Sequence, residues 1–201
     1  MSHECVEMTQ SETLILREVD RVTDVAALQA LDTSFSSESM YEVKAVHDSL
    51  HLQLRSLPSP RCKRFKIDLE MPAWSAGFVA ISDGELCGFI ATNYEGWHRR
   101  LAIWHFYVDA KWRRRGIGRR LMNQAIESGR REGAETAWAE TSNYNHPGVH
   151  AYQRLGFALC GFDMSLYKGT PSDDEFALYL ALSIDPLLRT GYSIPGASTA
   201  P

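Results

Sequence analysis

Long apolar runs are missing from this sequence. No segment approaches the ~20 consecutive apolar residues of a bilayer-spanning helix, and no basic stretch leads into an apolar one at the start, so neither an anchor nor a secretory leader is expected. Cysteine is scarce and scattered. Cys5, Cys62, Cys87 and Cys160 show neither C-x-x-C nor His-paired spacing, which fits neither a disulfide framework nor a zinc site; a reducing compartment, the cytoplasm, and no metal are expected. Excess positive charge is lacking as well, and a formal net charge of -4 argues against a generic nucleic-acid binder. Internal repeats and low-complexity segments are absent.

What is present is an ordinary globular composition, 44% apolar and 23% charged over 201 residues, which suits one substantial core. Residues 1–10 are polar and aperiodic and read as a loose end, residues 11–185 as one domain, and residues 186–201, with Pro, Gly, Ser and Thr, as a flexible tail. Residues 13–19 alternate as a first strand, and Asp24 stands as N-cap before a short amphipathic helix. The Ser-rich stretch 33–39 reads as a loop. Residues 43–59 are ambiguous, with Pro58 and Pro60 ending whatever precedes them. Residues 76–81 and 86–92 form a hairpin around Ser82-Asp83-Gly84-Glu85, and 101–108 extends the sheet. Gly118, Leu121, Met122, Ala125, Ile126 and Gly129 share one helical face that Gly133 closes. A strand at 136–141, a helix at 147–155 terminated by Gly156, and strands at 158–166 and 176–183 around the polar turn 169–174 complete the order. Such mixing of strands and helices gives a single domain of mixed α/β, α+β-like class, one central sheet with helices packed on it.

Positive charge is local rather than general. Arg113, Arg114, Arg115, Arg119 and Arg120 crowd into eight positions between an apolar strand and the amphipathic helix, with Arg99, Arg100 and Lys111 just before. The first N–H groups of a helix lack internal partners and carry partial positive charge, so an anion site forms there readily. Gly116 and Gly118 let the backbone approach a phosphate, and the arginines add forked donors. The loop 113–118 thus reads as a pyrophosphate cradle or, blandly, as a solvated turn. No third glycine completes a Rossmann fingerprint and no Walker lysine follows, so dehydrogenases, kinases and NTPases fall away.

Arg113-x-x-Gly116-x-Gly118 resembles the cofactor motif of the GNAT acetyltransferases, Gln or Arg, then x-x-Gly-x, then Gly or Ala. The strand end Phe106-Tyr107-Val108-Asp109 is similar to the one whose backbone pairs with the pantetheine arm. The stretch from Asn143 through Tyr152-Gln153-Arg154-Leu155-Gly156-Phe157 is similar to the second cofactor segment of that superfamily. These features cover roughly residues 76–182. Within the superfamily the chain most resembles the streptothricin acetyltransferase group, through Ser34-Phe35, Tyr41-Glu42-Val43, Glu140-Thr141-x-Asn143-x-Asn145, residues 156–163 and Glu175-x-Ala177-Leu178-Tyr179. Trp104-His105 departs from the acidic pair those relatives carry, which leaves base and substrate open.

The resemblance implies a GNAT-type domain with a mostly antiparallel, splayed sheet, acetyl-CoA as co-substrate, and a primary amine of a small molecule as acceptor. It implies no nucleic-acid or membrane partner, and a monomer or homodimer. Protein N-terminal or lysine acetylation and a non-catalytic acyl-CoA sensor are the other readings. Cofactor contacts would come from Phe106, Tyr107, Val108, Arg113, Arg114, Arg115, Gly116, Ile117, Gly118, Arg119, Asn145 and Tyr152. Tyr152 would protonate the leaving thiolate, or is simply a core tyrosine. An alkyl ammonium, pKa ~10.4, must lose a proton before attack; His105, Glu140 and a water chain are the candidates, with a backbone N–H near Val108 meeting the oxyanion. Asn145 contacts the cofactor or caps a helix. Tyr41, Glu42, Trp97 and Asp163 are candidates for the amine pocket.

Overall fold

The hairpin signal around Asp83-Gly84 marks the centre of the molecule, and both residues take the left-handed conformation that a tight two-residue turn needs, at φ 52° and 79°. A computed structural model describes residues 14–69 and 73–185; the expected N-terminal end 1–10 and tail 186–201 lie outside the described residues. In chain order the elements are β1 (Ile15–Glu18), α1 (Val25–Ala30), β2 (Phe35–Val46), β3 (Ser49–Lys63), β4 (Ala76–Ser82), β5 (Glu85–Glu95), β6 (Arg100–Val108), a 3-10 turn (Ala110–Trp112), α2 (Ile117–Glu132), β7 (Thr136–Ser142), α3 (His146–Arg154), β8 (Ala158–Asp163) and β9 (Ala177–Ser183). Among the described residues the main sheet runs β1-β4-β5-β6-β7-β9-β8, and β2 pairs with β3 as a separate ribbon. All main-sheet pairings are antiparallel except β6 with β7. The mixed α/β class, with one large, mostly antiparallel sheet flanked by few helices, is as expected.

The amphipathic pattern of α2 does what its period requires: Ile117, Leu121, Met122, Ala125, Ile126 and Gly129 are buried against the sheet. A Cβ on Gly129 would stand 2.7 Å from Leu101 of β6, so the absence of a side chain there sets how closely helix and strand approach. The opposite face of the sheet carries a smaller core of Leu28, Leu31, Trp74, Val79, Phe89 and Ala91.

Three local expectations are corrected. The Ser-rich stretch is not a loop, since β2 begins at Phe35, and the ambiguous segment is a long two-stranded ribbon. Pro58 and Pro60 do not end β3. Pairing jumps from Ser37↔Arg61 to Ser39↔Ser56, so both prolines sit in the irregularity where the ladder asks for no N–H. Asp24 stands at the N-cap position of α1 without capping it: its carboxylate is taken by the fork of Arg17, at 2.6 and 2.7 Å, and by the Asp20 N–H.

One side chain joins ribbon and sheet. Asn143, fully buried, follows β7; its Nδ2 donates to Tyr41 O at 3.0 Å while its carbonyl accepts from Tyr41 N–H. Its Oδ1 accepts from Phe176 N–H at 3.1 Å while its own N–H donates to Phe176 O. Replacing it strands a carbonyl and an amide in the interior. Asn143→Ala is expected to cost about 2–4 kcal/mol, lowering the melting temperature by on the order of 10 °C in a thermal scan.

Candidate active site

Strands β6 and β7 pair only from Arg100↔Thr136 to Ile103↔Ala139, and then part. At the parting point β6 bulges. His105 lies opposite Ala91 and Ile103 opposite Thr92, which leaves Trp104 as the extra residue. The bulge shifts the alternation by one. Ile103 belongs to the core under α2; beyond Trp104 it is Phe106 and Val108 that face Gly118 of α2, while His105 and Tyr107 turn to the other side toward Phe89 and Phe65. The backbone polarity follows. Asp109 N–H donates to Cys87 O, so Val108 occupies a non-hydrogen-bonded site of the β5–β6 ladder. The N–H and C=O of Val108, and those of Phe106 two residues before, therefore point away from β5 into the gap that β7 has left. A cleft of about 780 Å³ lies at this gap, lined by residues from both faces of the sheet.

On the α2 side the cleft meets the helix N-terminus. Gly116 takes the N-cap position at φ 80°, a backbone other residues adopt only under strain, and offers no side-chain cap. The first intrahelical bond runs from Arg120 N–H to Gly116 O, so the N–H groups of Ile117, Gly118 and Arg119 have no carbonyl of their own helix to meet. The basic cluster divides its labour. Arg113 donates from Nε to Val108 O at 2.9 Å and from Nη2 to Ser34 O at 2.6 Å, pinning the loop to β6 and to the start of the ribbon. Arg115 lies over Trp112, 4.7 Å from the ring centroid, and Arg120 reaches Leu14 O. Arg114, at φ 65°, and Arg119, which donates to Arg154 O, line the cleft. Asn145 also lines it, with both ends engaged: Oδ1 accepts from Gly148 N–H at 3.0 Å as the N-cap of α3, and Nδ2 donates to Thr141 Oγ1 at 2.8 Å.

On the other side stand Glu140 of β7, Tyr107 and His105 of β6, and Tyr167 from the β8–β9 connection, while Tyr152 of α3 lines the cleft from the α2 side beside Phe106. Tyr167 donates its hydroxyl hydrogen to Glu140. Burial pushes the Glu140 carboxyl above the usual carboxylate range, while the Tyr167 hydrogen bond and Lys63 pull it back. Burial drives the Tyr152 and Tyr107 phenols well above their ordinary value, so both keep their protons at any physiological pH. Tyr152 packs between Phe106 and Phe157, at centroid distances of 5.7 and 5.2 Å. Burial lowers His105, whose Nδ1 has no hydrogen-bond partner among the described residues.

This fold has counterparts in known proteins. Residues 44–157 match the Acetyltransferase (GNAT) family. The chain is 39% identical to streptothricin acetyltransferase of Streptomyces lavendulae over 172 residues, 81% of this chain and 91% of the relative. It belongs to the GNAT acetyltransferases. The crystal structure of nourseothricin acetyltransferase superposes with a TM-score of 0.77 at 40% identity, covering 85% of this chain and 98% of the other. A streptothricin acetyltransferase structure from Bacillus anthracis in complex with acetyl coenzyme A gives 0.72 at 25% identity, with the same coverage. The chain is thus an acetyl-CoA-dependent N-acetyltransferase.

Within this GNAT frame the other expected residues are dispersed. Trp97, 87% exposed, stacks on His98 in the β5–β6 turn, at the end of β6 remote from Val108. Asp163 closes β8 by accepting from the Ser165 N–H and hydroxyl. Tyr41 packs on His146, and Glu42 faces Arg55 and Gln53 across the ribbon. None of the four lines the cleft, because ribbon pairing and the turn direct them elsewhere. Sequence reasoning missed Phe65, Lys66, His150 and Tyr167, which do line it. Phe65, Lys66 and Tyr167 lie on segments without helical or strand period, and His150 sits on the expected helix, whose placement at the gap only the fold decides.

The lowered His105 fixes a sign. A buried imidazole that resists protonation binds fewer protons folded than unfolded, so its contribution is present at neutral pH and is lost as pH falls below ~6.5. In an NMR titration its ring is expected to take up a proton at lower pH than an exposed histidine of the same chain.

Proposed function

We propose that this enzyme acetylates a primary amine of a small cationic molecule of the streptothricin type. The observation that carries the reading is a lone carboxylate, Glu140, set among aromatic rings on the face of the gap opposite α2. It is the one acidic residue lining the cleft among the described residues. An ammonium group is attracted by a half-buried carboxylate and by aromatic faces together, and Trp104, Phe65 and Tyr107 supply the faces. The likeness to streptothricin and nourseothricin acetyltransferases over most of the chain supports the same acceptor class.

The residues present fit the donor. The open N–H groups of Ile117, Gly118 and Arg119, with the guanidinium groups of Arg114 and Arg119, would hold its diphosphate, while Arg113 and Arg115 brace the loop. Phe106 and Val108 present backbone groups along the gap for an amide-bearing arm, although the Val108 carbonyl is already shared with Arg113. Bound acetyl-CoA supplies an activated acetyl thioester. Glu140 takes one proton from the acceptor ammonium, freeing the nitrogen lone pair to form the C–N bond. The Val108 N–H, aimed into the gap, meets the oxygen that gains charge. As the C–S bond breaks, Tyr152 would donate its hydroxyl proton to sulfur, and the second proton shed by the attacking nitrogen would restore the Tyr152 hydroxyl; burial favours the protonated phenol before and after the step. His105, neutral and enclosed by Phe89 and Tyr107, is the weaker base candidate.

Tyr152→Phe is expected to lower kcat by roughly 10²-fold with acetyl-CoA affinity unchanged; full turnover in a thiol-release assay would remove its role. Reversing charge at Arg114 and Arg119 together should weaken acetyl-CoA binding by about 100-fold or more, read by calorimetry. In the same thiol-release assay, streptothricin is expected to be turned over in preference to peptides with free N-termini, and the reverse preference would overturn the proposed acceptor.

A further inference from the structure

We propose that Tyr167, on the connection between β8 and β9, is the positioning residue for Glu140, holding its carboxylate toward the gap between β6 and β7; this rests on the reading of Glu140 as the base. Glu140 sits on β7 just beyond the last β6–β7 pair, where no strand covers its gap-facing side. A carboxylate there swings about its side-chain torsions unless a donor holds it. Among the described residues the donor is Tyr167, whose hydroxyl reaches Glu140 Oε1 from the β8–β9 connection. Nothing on β7 itself supplies such a bond.

The connection that carries Tyr167 is itself held. The Tyr167 carbonyl accepts from the Thr170 N–H at 3.1 Å and from its hydroxyl at 2.7 Å, closing a turn directly behind the phenol. Farther along, Glu175 has a side chain only 1% exposed and receives Lys63 Nζ on both oxygens, at 2.7 Å each, while Arg61 reaches it at 3.2 Å and Asp174 at 2.6 Å. Lys63 also donates to Ser172 Oγ at 2.9 Å. Both cations belong to β3, so the ribbon, whose first residue Phe35 lines the cleft, also anchors the segment bearing Tyr167. A Phe at 167 would fill the same space, and what it lacks is the donor.

The groups facing Glu140 are known from every side. Lys63 of β3 favours its charged form and Glu175 disfavours it, while Tyr107 of β6, Tyr152 of α3, Tyr179 of β9 and Tyr167 are phenols coupled to it. The Tyr167 hydrogen bond favours the carboxylate, so its loss moves Glu140 to higher pH. A purely space-filling role for Tyr167 would lower stability or turnover at all pH values without moving a titration.

The test is the pH dependence of kcat for the full chain, with acetyl-CoA and a streptothricin-type amine saturating. Tyr167→Phe is expected to shift the acid limb upward by about one pH unit, with acetyl-CoA affinity unchanged. Incorporating 3-fluorotyrosine at 167, a stronger donor, should move the limb downward, and keeps the question answerable should the Phe variant fold poorly. Glu140→Gln should abolish the limb. An unmoved limb in the Tyr167 variants, with Glu140→Gln still abolishing it, would overturn the positioning role and leave the base reading standing. An acid limb that survives Glu140→Gln would overturn the base reading, and the positioning role with it.

Discussion

The brevity of the β6–β7 pairing governs this enzyme. A parallel pair that continued past Ile103↔Ala139 would satisfy the backbone of residues 104–108 and close the sheet. It stops after four pairs, at the residue where Trp104 bulges from β6. The strand tip keeps β5 as its single ladder partner, its free edge faces a cleft, and its side chains are reassigned so that Phe106 and Val108 serve the helix side while His105 and Tyr107 serve the other. A sheet edge normally invites adventitious pairing. Here it lies inside the molecule, flanked by α2 and α3, where an extended donor arm is the proposed occupant.

The cleft is chemically asymmetric about that edge. One end has cations and open helix N–H groups, suited to phosphate; the other has a half-buried carboxylate amid phenols and aromatic rings, suited to an ammonium. Burial sets protonation states there in advance. Phenols are held neutral and able to donate, an imidazole is held neutral, and a carboxyl is raised toward the range in which it accepts and returns a proton usefully. A low local dielectric achieves this without any exotic group.

Beyond the sheet, two polar devices fix the cleft's walls. Asn143 imitates two strands at once, pairing with Tyr41 on the ribbon and Phe176 before β9. The Lys63–Glu175 and Arg61–Asp174 pairs fasten the ribbon to the β8–β9 connection. With Glu175 almost fully buried, that pairing counts for position more than for net stability, since desolvation offsets much of the attraction. Loss of either device would move the aromatic wall relative to Glu140.

Local patterns in the sequence sufficed for much of this. Turn chemistry at Asp83-Gly84, the period of α2, Gly133 as its terminator and the Arg/Gly loop are short-range signals, because a turn, an amphipathic face or a helix N-terminus is defined by residues a few positions apart. The ribbon was hidden, because its residues lack clean alternation and its prolines look like breakers until the irregular register that accommodates them is seen. The roles within the arginine cluster were equally hidden; whether a guanidinium meets a ligand or a carbonyl depends on chain segments some eighty residues away, as with Arg113 and Ser34. Sequence alone thus determined most of the elements and the family, and marked the Arg/Gly loop as a candidate anion site. The tertiary structure decided which side chains share the cleft, excluding Trp97 and Asp163 and bringing in Tyr167, because proximity across a splayed sheet is set by packing between distant segments and leaves no periodic trace along the chain.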